Sequence, residues 1–338
     1  MKTLAVYSGS LDLNYFLKLE EMAALYGKVY VAGRSFLSGV NMLGDLGNVF
    51  FTENMEEVIE QVTDVLFYRD SEGMEEKIQY FAEQGKKIYL YDVTVDAGQE
   101  YGEKVSVLSG EKTPQKKAGK RLYELPCPVV TVMGISEECE RHKLFLEVSR
   151  AVEEQGYRVM KVSGEPVSRM GECIPLPEAV YSGRPLKERT LALNHFLYRK
   201  VKEEKPDIVI IDVPGGILNQ SLLEYTGDGE YAYMVGNAVD ADASLLAIPA
   251  HEINGGFVAE LKEICRQRFS ANVAGIAMSC VRYKIDIEKK ETIYFTLPTG
   301  FVKKQYIGEE EYIVPVKPLH GSSECFAKHL LAILSDAG

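Results

Sequence analysis

Short apolar runs alternate along this chain with longer stretches in which apolar positions recur every three or four residues. Thr3–Tyr7, Val29–Ala32, Val49–Phe51, Val65–Tyr68 and Ile88–Tyr91 read as strands. Between them, Leu13–Tyr26, Glu53–Val62 and Met74–Gln84 carry helical spacing; Phe16, Leu19, Ala23 and Tyr26 fall on one face. Strands and helices alternating in this rhythm predict a parallel sheet covered by helices, a small Rossmann-like unit over residues 1–95. From 96 to 125 the periodicity fades among Gly, Lys, Glu and Gln. This stretch is the expected linker, with a short hairpin near Val105–Leu108.

The pattern resumes with Pro128–Met133, a run apolar enough to be buried on both faces, then Gly134 and a helix from about Glu138 to Gln155. Further strands begin at Tyr157, Asp207, Ala243 and Val273. Helices are expected over Leu186–Glu204, Asn219–Tyr225, Gly256–Phe269 and Cys325–Leu334, with a late strand at Ile293–Thr296. Residues 126–338 therefore predict a second α/β unit with a five-stranded parallel core. The segment Lys205–Gly216, KPDIVIIDVPGG, is its centre. Pro206 stops the preceding helix, Ile208–Ile211 forms the strand, and Asp212 falls at the carboxyl end, where ligands of open α/β sheets bind. The same residues equally suit a buried strand followed by a Gly turn.

The 338 residues are enough for two domains, and 46% hydrophobic with 26% charged residues is ordinary globular composition. A formal net charge of −12 argues against general nucleic-acid binding; the basic run Lys112–Arg121 reads as solvated linker. No stretch approaches the roughly 18 apolar residues of a membrane span, and the amino terminus lacks the pattern of a signal peptide. A cytoplasmic protein with six free thiols is expected. Cys139 and His142 form a lone C-x-x-H, half a zinc site at most.

Strand, Gly134, helix and strand reproduce the opening of a P-loop nucleotide-binding domain. That loop needs G-x-x-x-x-G-K-[ST], whose backbone N–H groups cradle phosphate while the Lys neutralises it. Here Cys139 replaces the second Gly and Glu140 the Lys. Glu137, Glu138 and Glu140 crowd the phosphate position, where they are expected to occupy the helix N-terminus themselves. Lys143 could reach back to the phosphate position only from a loop longer than the standard one. In the first unit Ser8-Gly9-Ser10 follows β-type sequence without a G-x-G-x-x-G, so no dinucleotide site is expected there.

The segments VTVMGISEECERHKLFLEVSRAVEEQGYRVMKV, KPDIVIIDVPGGI, ADASLLAI and VAGIAMSCVRY together resemble SIMIBI-type P-loop ATPases and GTPases with a degenerate phosphate loop. More narrowly, the G-x-x-x-x-C loop and IDVPGGI resemble a clostridial peptide-maturation-system family. Its members accompany Cys-rich, bacteriocin-like precursor peptides with radical-SAM modifying enzymes. The resemblance implies a pathway rather than a reaction, and transfers only Gly134 and Asp212 as positions of the wider P-loop class.

Three readings follow. In the first, the chain is an accessory protein that binds the precursor peptide or the radical-SAM enzyme, with no cofactor and no hydrolysis. In the second, it is an ATP- or GTP-dependent hydrolase or kinase using Mg and an aberrant loop, with Gly134, Lys143, Gly215 and Gly216 at the nucleotide. In the third, Asp212, His251 and Glu252, all following strand ends, make a small-molecule catalytic site. No metal site and no membrane insertion are expected.

Overall fold

The computed structural model describes residues 2–8, 25–32, 48–52, 54–71, 73–91, 93, 105–108, 120–137, 139–165, 170–171, 173–218, 228–286, 288, 291–307, 314–319 and 323–336. The chain is an α/β protein with two all-parallel sheets, of six and seven strands. It divides into two compact units, Met1–Ser109 with Arg169–Gly171, and Gly110–Ser168 with Glu172–Gly338.

The first unit contains β1 (Thr3–Ser8), β2 (Lys28–Ala32), β3 (Val49–Thr52), β4 (Asp64–Tyr68), α1 (Met74–Glu83), β5 (Lys87–Tyr91) and β6 (Val105–Val107). The strand order is β3-β2-β1-β4-β5-β6, the order of a dinucleotide-type Rossmann sheet. Ala5, Val65, Phe67, Ile88 and Leu90 point to one face, where Ile78 and Phe81 of α1 close the core. Two expectations change. Where a helix over 53–62 is expected, residues 54–62 hold two short 3₁₀ turns, Met55–Glu57 and Ile59–Gln61. The hairpin near Val105–Leu108 is instead one strand, paired in parallel with β5. The expected helix Leu13–Tyr26, except its last two positions, and the glycine loop 33–47 lie outside the described residues.

The second unit runs β7 (Val129–Gly134), α2 (Arg141–Glu154), β8 (Val159–Ser163), β9 (Ile174–Pro175), α3 (Leu186–Glu204), β10 (Ile208–Gly216), α4 (Glu230–Ala238), β11 (Ala243–Ile248), α5 (Gly255–Phe269), β12 (Val273–Met278), β13 (Val281–Asp286), β14 (Glu291–Thr296), α6 (Thr299–Val302), β15 (Val316–Pro318) and α7 (Ser323–Asp336). Its large sheet has the order β15-β12-β11-β7-β10-β8-β9. All five strands read from the sequence lie in it, and β9 and β15 extend its edges. Helix α4 precedes β11, and the expected helix at Asn219–Tyr225 lies outside the described residues.

Both faces of this sheet are covered, which explains its unbroken apolar strands. Val209, Ile211 and Val213 belong to the core that includes Leu193, Phe196 and Leu197 of α3 and Val235 of α4. Ile208 and Ile210 point the other way, into the core with Leu144, Phe145 and Val148 of α2 and Phe326 and Leu330 of α7. Strand period then sends Asp212 to the α2 side. The two strands β13 and β14 pair antiparallel and form a separate ribbon. Among the described residues, no helix is long and apolar enough to cross a membrane.

Candidate functional site

The central strand β7 lies between β10 and β11, so the order of connection reverses there and leaves a crevice at the carboxyl ends. Gly134 and Asp212 share this edge: Asp212 pairs with Val132, and Gly216 pairs with Gly134 after a bulge in β10. Gly215 takes φ +74° at that bulge, a conformation that favours glycine. At Gly216 a Cβ would stand 2.7 Å from the carbonyl oxygen of Ile135, so two backbone segments meet with no room for a side chain.

The loop from Gly134 to α2 closes on itself. The Cys139 thiol, fully buried, donates to the Ser136 carbonyl at 2.9 Å. A Cβ at Gly134 would lie 2.6 Å from Cys139 Sγ. Glu140 follows with φ 55°, left-handed, and its buried carboxylate accepts the Cys280 backbone N–H at 3.0 Å. This corrects one expectation. Helix α2 begins at Arg141, carries no acidic residue in its first turn, and has no side-chain cap from its N-cap residue Glu140.

Asp212 lies at the centre of a buried polar cluster that the sequence reading did not anticipate. Its side chain and that of His142 are 0% exposed, and that of Arg141 is 1% exposed. The Arg141 guanidinium forms an ion pair with Asp212 Oδ1 through Nη1 and with Glu165 Oε1 through Nη2 at 2.6 Å. His142 Nδ1 lies 2.6 Å from Asp212 Oδ2, and Ser163 Oγ donates to the same oxygen at 2.7 Å. Ser163 stands directly across from Asp212 in the β8–β10 register, which puts both on one face. It also accepts the Glu165 N–H at 3.0 Å. With Asp212 already held by Arg141, burial dominates at His142 and the neighbouring guanidinium adds to it. Together they lower its pKa to about 3, so the imidazole is neutral and Nδ1–H donates to the carboxylate. Its Nε2 has no hydrogen-bond partner among the described residues.

Ser, His and Asp are thus together, but not as a hydrolytic triad. Ser163 Oγ lies 3.2 Å from Nδ1, the nitrogen facing Asp212, whereas a triad serine must face the opposite nitrogen. His251 and Glu252 are exposed, with His251 edge-on to Phe257 at 5.4 Å between centroids; neither bonds to Asp212. Lys143 is half-buried, two residues into α2.

The residues do not fit a magnesium nucleotide. In the P-loop spacing Arg141 occupies the Ser/Thr position, whose hydroxyl binds Mg²⁺ opposite an acidic residue on a neighbouring strand. Here the acidic residue is Asp212, and the guanidinium is on it. A cationic side chain therefore takes the place of the divalent ion. Counting one position beyond the missing Lys would have singled out Arg141 from sequence; His142, Ser163 and Glu165 had no comparable signal. Among the described residues, no group of three His, Cys, Asp or Glu could hold a metal ion.

A whole-chain fold match completes the comparison. A DUF1611 family protein from Anabaena variabilis superposes with TM-score 0.62 and 12% identity, covering 99% of this chain and 100% of that one. That match shows a shared fold. Local matches include a nucleotide-binding protein from Archaeoglobus fulgidus in complex with ADP (TM-score 0.29, 13% identity, 60% of this chain and 87% of that one). Another is cobyrinic acid a,c-diamide synthase from Mycobacterium smegmatis with bound ADP and magnesium (TM-score 0.34, 14% identity, 61% and 92%). No family model and no curated protein matches the sequence.

Proposed function

We propose that the protein is an accessory binding protein built on a P-loop-type scaffold that no longer turns over nucleotide. Its partner is a precursor peptide of a ribosomally made natural product, or the enzyme that modifies it. One observation carries the first half: Arg141, at the magnesium-ligand position of the loop, is ion-paired with Asp212 in a site closed to water. Binding Mg²⁺ there would require breaking a buried ion pair, which costs about 3–5 kcal/mol before any new contact forms. The partner half is supported by the resemblance of Gly134–Cys139 and Ile211–Ile217 to the peptide-maturation family.

Isothermal titration of the full chain with Mg-ATP and Mg-GTP, each to millimolar concentration, should give no saturable heat. A micromolar Kd that disappears in Asp212→Asn or Lys143→Ala would sink this reading in favour of an active nucleotide site. For the partner, co-expression with a Cys-rich precursor and its modifying enzyme should raise the yield of modified peptide, and Gly216→Val should remove that gain. Equal yields with and without the protein would refute the pathway assignment.

A further inference from the structure

The residues that lead into β7 are held against α3 by their backbone. Asn194, in the middle of the 19-residue helix α3, is 1% exposed. Asparagine is a poor helix-interior residue and a buried amide without partners is costly, so its partners explain its place. Its Oδ1 accepts the Tyr123 N–H at 2.8 Å, and its Nδ2 donates to the Tyr123 and Ala238 carbonyls, each at 2.8 Å. One side chain thus reads both backbone groups of Tyr123, as a neighbouring strand would. His195 donates from Nε2 to the Arg121 carbonyl at 2.8 Å, which assigns the proton to that nitrogen. Backbone groups of residues 121 and 123 therefore face α3 together, the two-residue repeat of an extended chain.

Two side chains of this strap are held as well. The Tyr123 ring stacks on Tyr198, with centroids 4.7 Å apart and planes at 22°, and leans on His195 at 5.0 Å. Lys202 Nζ lies 5.4 Å from the Tyr198 ring centroid, so His195, Tyr198 and Lys202 line one face of α3. Leu125 packs, half-buried, against the core that includes Leu193 and Leu197. The hold is superficial: Leu122 is 46% exposed and Tyr123 42%, and Arg121 and Glu124 are exposed. Backbone hydrogen bonds, one ring stack and one apolar contact can be made by any extended segment with an aromatic residue two positions before an aliphatic one. Residues 121–125 occupy α3 as a bound peptide does, on a tether that begins at Val129 of β7.

We infer that this face of α3 is a recognition site for an extended peptide with an aromatic–x–aliphatic pattern, closed in the free protein by the chain's own strap. A partner segment of that pattern displaces residues 121–125 and takes over the hydrogen bonds of Asn194 and His195. The inference rests on the reading of the protein as a peptide-binding accessory, and gives that reading a site and a closed state.

Fluorescence anisotropy tests it with the full chain and a labelled synthetic peptide of residues 120–126. Tyr123→Ala removes the ring stack at an exposed position and leaves α3 untouched, so the strap loosens; thermal melting by circular dichroism checks that the fold is kept. This variant should bind the strap peptide saturably, at least about tenfold more tightly than the parent, whose site is closed by a tethered competitor at high effective concentration. Within the peptide, N-methylation at its tyrosine removes the donor to Asn194, and replacing that tyrosine by alanine removes the stack. Each change should weaken binding at least about fivefold. In the Tyr123→Ala background, His195→Phe keeps an aromatic ring but loses the donor, and should also weaken binding about fivefold.

No saturation of Tyr123→Ala at millimolar peptide, equal binding of the N-methylated peptide, or equal affinity of parent and variant would overturn the inference. A concentration-dependent dimer of the parent that Tyr123→Ala abolishes would overturn it too, by assigning the contact to exchange of straps between two chains. The co-expression experiment stands apart from these outcomes. Strap-peptide binding with an unchanged yield of modified peptide removes the pathway and keeps the site; a raised yield without strap-peptide binding removes the site and keeps the pathway.

Discussion

Replacing Arg141 by Met tests whether Asp212 is neutralised from within. Methionine keeps much of the aliphatic volume and deletes the charge, so the packing term is small. Asp212 would remain fully buried, with donors from His142 and Ser163 but no cation. Breaking a buried ion pair from one side costs about 3–5 kcal/mol. For a unit of 150–250 residues, each kcal/mol moves the melting temperature by about 2–4 °C, so the expected fall is about 6–20 °C. Adding Asp212→Asn removes the orphaned charge, and the double variant should recover at least ~2 kcal/mol relative to the sum of the single changes. The chain has no Trp and 20 Tyr, so urea unfolding is followed by near-ultraviolet circular dichroism of tyrosine. Each variant should shift the midpoint while keeping the slope with urea. An Arg141→Met variant within about 1 kcal/mol of the parent, or strictly additive effects in the double variant, would refute the internal-cation argument.

His142 gives the protein an acid-sensitive term. Its pKa is about 6.5 unfolded and about 3 folded, so between those values the unfolded chain binds the extra proton. Stability from this group is complete above pH 6.5 and falls as pH drops toward 3, by about 2 kcal/mol at pH 5. Denaturation midpoints at pH 7 and pH 5 should show that loss in the parent and not in His142→Gln; identical slopes would contradict it. Gly216→Val places a Cβ 2.7 Å from the Ile135 carbonyl and should destabilise by more than about 2 kcal/mol. Gly215→Ala, at φ +74°, should cost about 1 kcal/mol; melting temperatures equal to the parent's would defeat both.

The linear sequence carried the α/β class and the core of the second sheet. Ile208–Ile211 can be read because a strand buried on both faces must be apolar at every position, and Pro206 and Pro214-Gly215 mark where it starts and turns. It also placed Gly134 and Asp212 at the same edge, since each directly follows a strand of a parallel sheet. Tertiary structure alone decided what those residues touch. Strand period turns Asp212 toward α2, and the left-handed Glu140 starts that helix so that Arg141 and His142 converge on the carboxylate. Ser163 joins them because the β8–β10 register sets it opposite Asp212. Glu140, which local sequence assigned to the helix dipole, instead meets the N–H of Cys280, 140 residues away in the chain. Local pattern fixes which face a side chain takes within its own element; partners from different elements are chosen by packing, which a linear pattern does not encode.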